Sequence, residues 1–300
     1  MKATIFNIAR GSFHDGAGVR TVVYFKGCTL GCLWCHNPES ISRENEIMFN
    51  KNLCVNCGRC VAVCPKCHFI AENTLFFSRE NCLACGKCAG QCPTRALTVC
   101  GSQVTVEEVL AEIEKDKHYF DKSGGGVTLS GGEPLIYSEF SAELLKKCKS
   151  NGINTVVETA LNVPWSAVDM VRNCADAFFV DLKHHDGRIH KELTGAGNSL
   201  IIENIEKLSR VHRNITIRIP LIPGVNDGDD NLVKTAAIIN RLGDGIRAVE
   251  LLKYNNLAAG KYESIGKTGS YPNAKPQTDS EMSHKNQLLR SCLENKPRQG

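Results

Sequence analysis

One twelve-residue pattern occurs twice in this chain: CVNCGRCVAVCP, Cys54 to Pro65, and CLACGKCAGQCP, Cys82 to Pro93. Each copy reads C-x2-C-x2-C-x3-C-P. No other feature restricts the fold so strongly. From about Asn50 to Cys100 the texture is short turns full of Cys, Gly and Pro, so this stretch forms a module of its own. Two chemistries suit so many thiols: disulfides in an oxidising compartment, or metal ligation in a reducing one.

Sixteen cysteines occur in 300 residues, and thirteen of them lie between Cys28 and Cys100. The N-terminus, MKATIFNIARGSFHDG, lacks a signal-peptide layout, and Arg10 follows an apolar run too short for an h-region. No run approaches the roughly 18 apolar residues of a membrane helix. A cytoplasmic location is expected, and thiols stay reduced there, which favours metal ligation. Cys148, Cys174 and Cys292 stand singly in helical patterns and read as small buried hydrophobes or inert surface thiols.

The repeated pattern is similar to the run of bacterial ferredoxins, in which the fourth cysteine of each run ligates the other cluster. The crossed assignment gives one [4Fe-4S] cluster to Cys54, Cys57, Cys60 and Cys92. The other falls to Cys82, Cys85, Cys88 and Cys64. Paired C-x2-C is also zinc chemistry, but a zinc ribbon uses two pairs, not repeated quartets closed by Pro65 and Pro93. Cys67 and Cys100 fall outside the quartets and receive no role, although Cys67 could stand in as a ligand under a different crossing.

A second constellation precedes the module. GCTLGCLWCHNPE, Gly27 to Glu39, places Cys28, Cys32 and Cys35 in eight residues with no fourth ligand close by. One helical face carrying three buried cysteines would give this spacing. Gly27, Gly31 and the strand-like RTVVYFK just before it weaken that reading. Three soft thiolates on one loop suit an iron–sulfur cluster with one iron left open to substrate.

After Cys100 the chain alternates regularly. Thr105–Lys117 has helical apolar spacing and a Thr105/Glu108 capping box. Strands are expected at Arg20–Lys26, Gly126–Ser130, Thr155–Glu158, Ala177–Leu182, Ile215–Leu221 and Ala248–Leu252. Helices are expected at Ser138–Ser150, Pro164–Cys174, Glu203–Val211 and Asp229–Leu242. The fold class is α/β with a parallel sheet, doubly wound or a partial barrel; periodicity leaves both open. In either, ligands gather at the carboxyl ends of the strands. From Gly266 the chain turns polar, with Gly269, Pro272, Pro276 and Pro297 and one short helix at Glu281–Leu293.

The residues quoted so far carry a resemblance. C-x3-C-x2-C with Trp34 before the last cysteine resembles the radical S-adenosylmethionine (SAM) superfamily. HDGAGVRTVVYFKGCTLGCLWCHNPES, His14 to Ser40, is similar to the signature of the glycyl-radical enzyme activating enzymes, departing at Ala17, where the family usually has Pro. The likeness continues through Ser130-Gly131-Gly132-Glu133-Pro134, Asp181-Leu182-Lys183, Arg218 with Pro223-Gly224, and LLKYNNLAAGKYESIG, Leu251 to Gly266. It spans roughly residues 1 to 270. The two-cluster module resembles the subgroup that activates enzymes other than pyruvate formate-lyase.

This resemblance implies a partial (β/α)6 radical SAM barrel with an inserted ferredoxin-like 2x[4Fe-4S] domain. The core would start in 1–48, the insert would fill 49–101, the core would resume in 102–265, and 266–300 would be a polar tail. It implies SAM chelated at the Cys28/Cys32/Cys35 cluster, with its amino group near Gly131, Gly132 and Glu133. Trp34 and His36 would lie against the adenine side. Asp181 and Lys183, which bracket Leu182 at period 2, would grip the methionine moiety and ribose. Asn255 stands where relatives place a SAM-contacting His. A monovalent cation is also part of the family pattern; the pair that would help hold it reads Glu158-Thr159 here, with a longer side chain than the family's Asp. Arg218 would meet SAM or an incoming peptide, or make a structural ion pair. Lys2 to Phe13 and the His14-Asp15-Gly16 turn would border the mouth and meet the partner's glycine loop.

The implied activity is an oxidoreductase reaction. SAM is cleaved reductively to a 5′-deoxyadenosyl radical, which takes a hydrogen from a glycine of a partner glycyl-radical enzyme. The partners would be that enzyme and a low-potential donor such as flavodoxin or ferredoxin, with the chain itself a monomer. Rival readings are a radical SAM enzyme acting on a small molecule and a ferredoxin-type electron carrier, for which an open iron has no use. A net charge of +4 and a pI near 8.3 give no nucleic-acid stripe or polybasic membrane patch.

Overall fold

The structure is a computed structural model that describes residues 1–268, 272 and 274–294. Gly269 and Pro297 lie outside the described residues. The main sheet is built from β1 (Lys2–Ser12), β2 (Arg20–Phe25) and then, after an insertion, β7 (Ser102–Thr105), β8 (Gly126–Gly131), β9 (Asn154–Thr159), β10 (Ala177–Asp181), β11 (Ile215–Leu221) and β12 (Ile246–Lys253). The insertion contains β3 (Glu46–Phe49), β4 (His68–Ala71), β5 (Thr74–Phe77) and β6 (Leu97–Cys100), with short helices α1 (Arg59–Val63) and α2 (Lys87–Gly90).

The 8-stranded sheet has the order β12-β11-β10-β9-β8-β2-β1-β7. From β2 to β12 every neighbouring pair is parallel, and the spatial order follows the chain order. That order settles what periodicity left open. A doubly wound sheet reverses direction once and puts helices on both faces; a sheet wound in one direction puts its crossovers on one face and curls. This is the partial barrel. Its strands alternate strictly. Ile215, Ile217, Ile219 and Leu221 of β11 belong to the main core, while Arg218 and Pro220 fall on the opposite, inner face.

The helices covering the outside are α3 (Val106–Glu114), α4 (Lys117–Ser123), α5 (Ser138–Ser150), α6 (Trp165–Arg172), α7 (Gly187–Thr194), α8 (Ser199–Val211) and α9 (Asp229–Asn240). The expected capping box forms: Glu108 N donates to Thr105 Oγ1 at 3.2 Å and Thr105 N to Glu108 Oε2 at 2.7 Å. Val109, Ile113, Leu144, Leu145, Val168, Ile205, Leu208 and Leu232 fill the space between helices and sheet.

Two more helices complete the fold, α10 (Ala259–Ser264) and α11 (Asp279–Cys292). The C-terminal segment is therefore more than a polar tail. Leu289 and Leu293 join the main core, and Asn240 Nδ2 donates to Cys292 O at 2.9 Å, which fastens α11 along α9. Among the described residues no helix is long and apolar enough to cross a membrane.

The insertion has its own small core of Ile47, Phe49, Leu75, Ala96 and Leu97, in which Cys60 and Cys88 are buried. β3 pairs with β6 at its base and β4 with β5 in a hairpin. So few apolar side chains do not hold a unit of this size without further links.

Candidate active site

The chain leaves β2 at Gly27 and carries Cys28, Cys32 and Cys35 across the carboxyl end of the barrel. Gly27 N donates to Ser40 O at 2.6 Å and Cys28 N to Ile41 O at 3.0 Å, closing the loop at its base. On its far side Gly31 N donates to Thr194 O at 2.7 Å and Leu33 N to Leu193 O at 3.1 Å. These are the last carbonyls of α7, which have no partner inside their own helix. A helix the sequence reading omitted thus holds the cysteine loop.

Cys28, Cys32 and Cys35 line one open cavity, and no fourth cysteine lines it. Trp34, His36, Gly131, Gly132, Asp181 and Lys183 share its wall, as do Glu158 and Thr159. Burial pushes the Cys28 and Cys35 thiols up to about 12, and raises Cys32 against the opposing pull of Lys183. Three adjacent thiols this poor in solvent ionise readily only when a metal takes the place of their protons. The donor set therefore fits a soft, thiolate-bound iron centre with one position left over.

Lys183 Nζ lies 2.6 Å from Asp181 Oδ2, and both project into the cavity from one edge of β10. Burial would lower the ammonium, but Asp181 and the thiols of Cys32 and Cys28 outweigh it and hold it above the ordinary lysine range. Leu182, between them, points the other way into the main core.

The Ser130–Pro134 turn has a structural reason for its glycines. Gly131 has φ +112°, and a Cβ there would strike the Phe25 backbone; a Cβ on Gly132 would strike the Gly27 carbonyl. Gly132 N donates to Phe25 O and Glu133 N to Gly27 O, each at 2.8 Å, so the turn is stitched to the start of the cysteine loop. The Glu133 side chain leaves the cavity wall. It is fully buried, accepting from Thr159 Oγ1 at 2.8 Å, Ala160 N at 3.0 Å and Leu135 N at 3.1 Å. Burial pushes its carboxyl up to about 7 against those three donors.

Asn255 stands just beyond the lining residue Tyr254, and its side-chain oxygen accepts from Leu257 N at 3.2 Å. His36 is hydrogen-bonded to the Asn255 backbone, and burial lowers its imidazole. Trp34 is nearly buried against Ile222 and Tyr254. Neither Ile222 nor Tyr254 was singled out from sequence, although Tyr254 lies inside the quoted LLKYNN stretch; an apolar wall residue carries no motif of its own.

Below the cavity the barrel interior holds a charged network. Arg218 donates to Glu158 Oε1 at 2.7 Å and to Glu250 Oε2 at 3.1 Å, and its guanidinium lies 3.7 Å over the Phe179 ring centroid. Ser130 Oγ donates to Glu158 Oε2 at 2.6 Å. Arg218 also reaches His14 O at 3.3 Å, and Thr128 Oγ1 donates to Asp15 O at 2.7 Å. This corrects the expected position of the His14-Asp15-Gly16 turn. Because β1 runs antiparallel to β2, with Ser12 opposite Arg20, the turn lies at the amino end of β2 and floors the barrel instead of rimming the mouth.

In the insertion, Cys54, Cys57, Cys60 and Cys92 line one cavity, the set expected from the crossed pattern. Cys64 and Cys82 both lie near Cys88. Cys67, nearly buried, packs against the same two thiols. The two C-x2-C loops have matching backbones: Asn56 (φ 54°) and Gly58 (φ 74°) correspond to Ala84 (φ 48°) and Gly86 (φ 79°) in the left-handed region. Cys57 and Cys85 are exposed. Cys100, buried, donates to Glu39 O at 3.8 Å. Among the described residues no three His, Cys, Asp or Glu side chains converge closely enough for a single metal ion.

Comparison with known proteins places this geometry. The family model of the radical SAM superfamily matches residues 22–236. The chain is 42% identical over 287 residues to the (2S)-3-sulfopropanediol dehydratase activating enzyme of Klebsiella oxytoca, covering 93% of this chain and 90% of that one. It is 42% identical over 271 residues to the choline trimethylamine-lyase activating enzyme of Oleidesulfovibrio alaskensis, covering 88% and 87%. Over 269 residues it is 42% identical to the trans-4-hydroxy-L-proline dehydratase activating enzyme of Clostridioides difficile, covering 89% of each. Among solved structures, Streptococcus suis SuiB bound to S-adenosylmethionine aligns with a TM-score of 0.51 at 16% identity, over 65% of this chain and 43% of that one, a likeness of fold.

Proposed function

The chain belongs to the radical SAM superfamily and, within it, to the glycyl-radical enzyme activating enzymes, and on that premise we propose that it activates a partner enzyme by placing a radical on one of its glycines. The observation that carries this reading is the wall of the main cavity, where Cys28, Cys32 and Cys35 stand without a fourth cysteine beside the Asp181–Lys183 pair. These three would hold a [4Fe-4S] cluster. When bound, that cluster supplies the electron that cleaves SAM to methionine and a 5′-deoxyadenosyl radical able to take the glycine hydrogen.

The chain's own residues do the placing. Lys183 and Asp181 present opposite charges to a zwitterionic amino acid head group. Gly131 and Gly132 line the same wall with no side chain to obstruct approach. Trp34, Ile222 and Tyr254 supply an apolar side suited to a flat base. The Arg218 network keeps the interior below polar and rigid, where a peptide backbone could be received.

The insertion, expected at 49–101 and starting with β3 at Glu46, is read as a ferredoxin-like domain with two further [4Fe-4S] clusters. The thin apolar core and the Cys54/Cys57/Cys60/Cys92 cavity support it. Cys82, Cys85, Cys88 and Cys64 would hold the other. A low-potential donor such as flavodoxin or ferredoxin would supply electrons to a monomer working in the cytoplasm. A monovalent cation fits the site poorly, because Glu158 is engaged by Arg218 and Asp181 by Lys183.

The test is anaerobic reconstitution, reduction and addition of SAM, with 5′-deoxyadenosine measured by chromatography. The expected result is cleavage in the wild type and none in Cys32→Ala. A candidate glycyl-radical enzyme added next should acquire a glycyl radical by electron paramagnetic resonance (EPR). Iron–sulfur absorbance without cleavage, with or without such a partner, would overturn the reading.

A further inference from the structure

The insertion meets the cysteine-loop segment directly, where Cys100 donates to Glu39 O, and also through one short helix, α10. α10 touches the loop from one side: Lys261 Nζ lies 2.9 Å from Glu39 Oε1 and 2.7 Å from Asn37 Oδ1, and Tyr262 OH donates to Leu33 O at 3.4 Å. Glu39 is buried, and its other oxygen, Oε2, has no partner. The carboxylate is thus held in place by Lys261.

The same helix touches the insertion at its end. Arg79 lies three residues before Cys82, and its carbonyl accepts from Cys82 N at 3.1 Å. Its guanidinium forks: Nη1 donates to Ile47 O of β3, and Nη2 to Ser264 O, the last carbonyl of α10, each at 2.5 Å. A terminal helix carbonyl lacks an intrahelical partner, and a cation there also opposes the helix dipole. The guanidinium packs 4.7 Å over the Phe77 ring centroid, and a Cβ built on Gly266, just past α10, would fall 2.7 Å from Arg79 Nε. The pocket for Arg79 is shaped on both sides.

We infer that Arg79 is a positioning residue for the SAM-binding loop: it fixes α10 to the insertion, and α10 in turn fixes Asn37, Glu39 and Leu33 beside Cys35. The inference rests on the reading of Cys28, Cys32 and Cys35 as cluster ligands. It gives the insertion a mechanical role that is independent of electron transfer. A folded second cysteine run sets Arg79, and Arg79 sets the loop that receives SAM. Only a planar fork serves both carbonyls at once; a lysine ammonium at the same place would reach one of them well.

The experiment uses the anaerobically reconstituted full chain as wild type, Arg79→Met, Arg79→Lys, Gly266→Ala, Lys261→Met and the Arg79→Met/Lys261→Met double variant. Iron per chain is measured first. The change that SAM causes in the EPR signal of the reduced protein is then titrated. With iron content preserved, the SAM concentration for half the change should rise about tenfold in Arg79→Met, the scale expected when a residue supporting a metal ligand is lost. Arg79→Lys should recover part of it. Gly266→Ala should raise that concentration as well, with every cysteine and Arg79 itself in place, because its Cβ would meet Arg79 Nε and its φ of +76° strains the turn after α10. Arg79→Met and Lys261→Met should be non-additive, because they act in one chain of contacts. An unchanged titration in both Arg79→Met and Gly266→Ala, or additive single effects, would overturn the inference alone. Absence of any SAM response in the wild type would overturn the cluster reading and this inference with it.

Discussion

Arg218 Nη1 donates to Glu158 Oε1 at 2.7 Å, and through Nε the same guanidinium holds Glu250 at 3.1 Å, so one buried cation joins two strands across the barrel interior. The longer carboxylate of Glu158 reaches inward to Arg218 and Ser130. Arg218 thus places a fixed positive charge beside Glu158.

Two outcomes are expected from this pair. SAM cleavage should keep its rate when potassium is exchanged for sodium or a tetraalkylammonium ion at constant ionic strength. Arg218→Met should lower unfolding free energy by about 3 kcal/mol, measured by denaturant titration, because it leaves the half-buried Glu158 and Glu250 carboxylates without their cation, Glu158 keeping only Ser130.

Glu133 gives a pH signature. Its carboxyl is pushed up to about 7 in the folded chain, against an ordinary value of 4.5. Between those values the folded state keeps a proton that the unfolded chain has released. Stability must therefore fall as pH rises from the ordinary value to about 7, and level off above. Melting temperatures of wild type and Glu133→Gln, compared from pH 5 to 8, should show the wild type losing more. Glu133→Ala should cost about 2 kcal/mol or more at any of these pH values, since it strands Thr159 Oγ1 and two backbone N–H groups in the interior.

The three-cysteine loop and the insertion should lose iron separately. Cys28→Ala/Cys32→Ala/Cys35→Ala should retain about two-thirds of the wild-type iron and no SAM cleavage. Cys92→Ala should alter the same EPR component as Cys54→Ala and leave that of Cys82→Ala, the outcome expected of the crossed assignment proposed for Cys54, Cys57, Cys60 and Cys92, which line one cavity.

Cys67 packs against Cys64 and Cys82 in the insertion. A thiol already at that distance can take over a lost ligand position. Cys64→Ala should keep most of its iron, and Cys64→Ala/Cys67→Ala should lose about one cluster's worth, read by colorimetric iron assay.

The sequence by itself determined the chemistry. Cysteine spacing, the Ser-Gly-Gly-Glu-Pro turn and the period-2 Asp181/Lys183 pair are local patterns, and local patterns survive without knowledge of distant partners. The six parallel strands were legible for the same reason: each is a short β-branched run bounded by turn residues. What only the tertiary structure decided are relationships between distant segments. The order of the strands settles a singly wound barrel. Antiparallel pairing of β1 with β2 moves the His14-Asp15-Gly16 turn to the floor. The Glu133 side chain also ties the turn after β8 to the end of β9, a bond that exists only because Thr159 and Ala160 arrive from another part of the chain. Arg79 belongs to no sequence motif; its contact with Ser264, 185 residues away, comes only with the fold. Hydrogen bonds between segments that far apart leave no periodicity in either one, so folding alone reveals them.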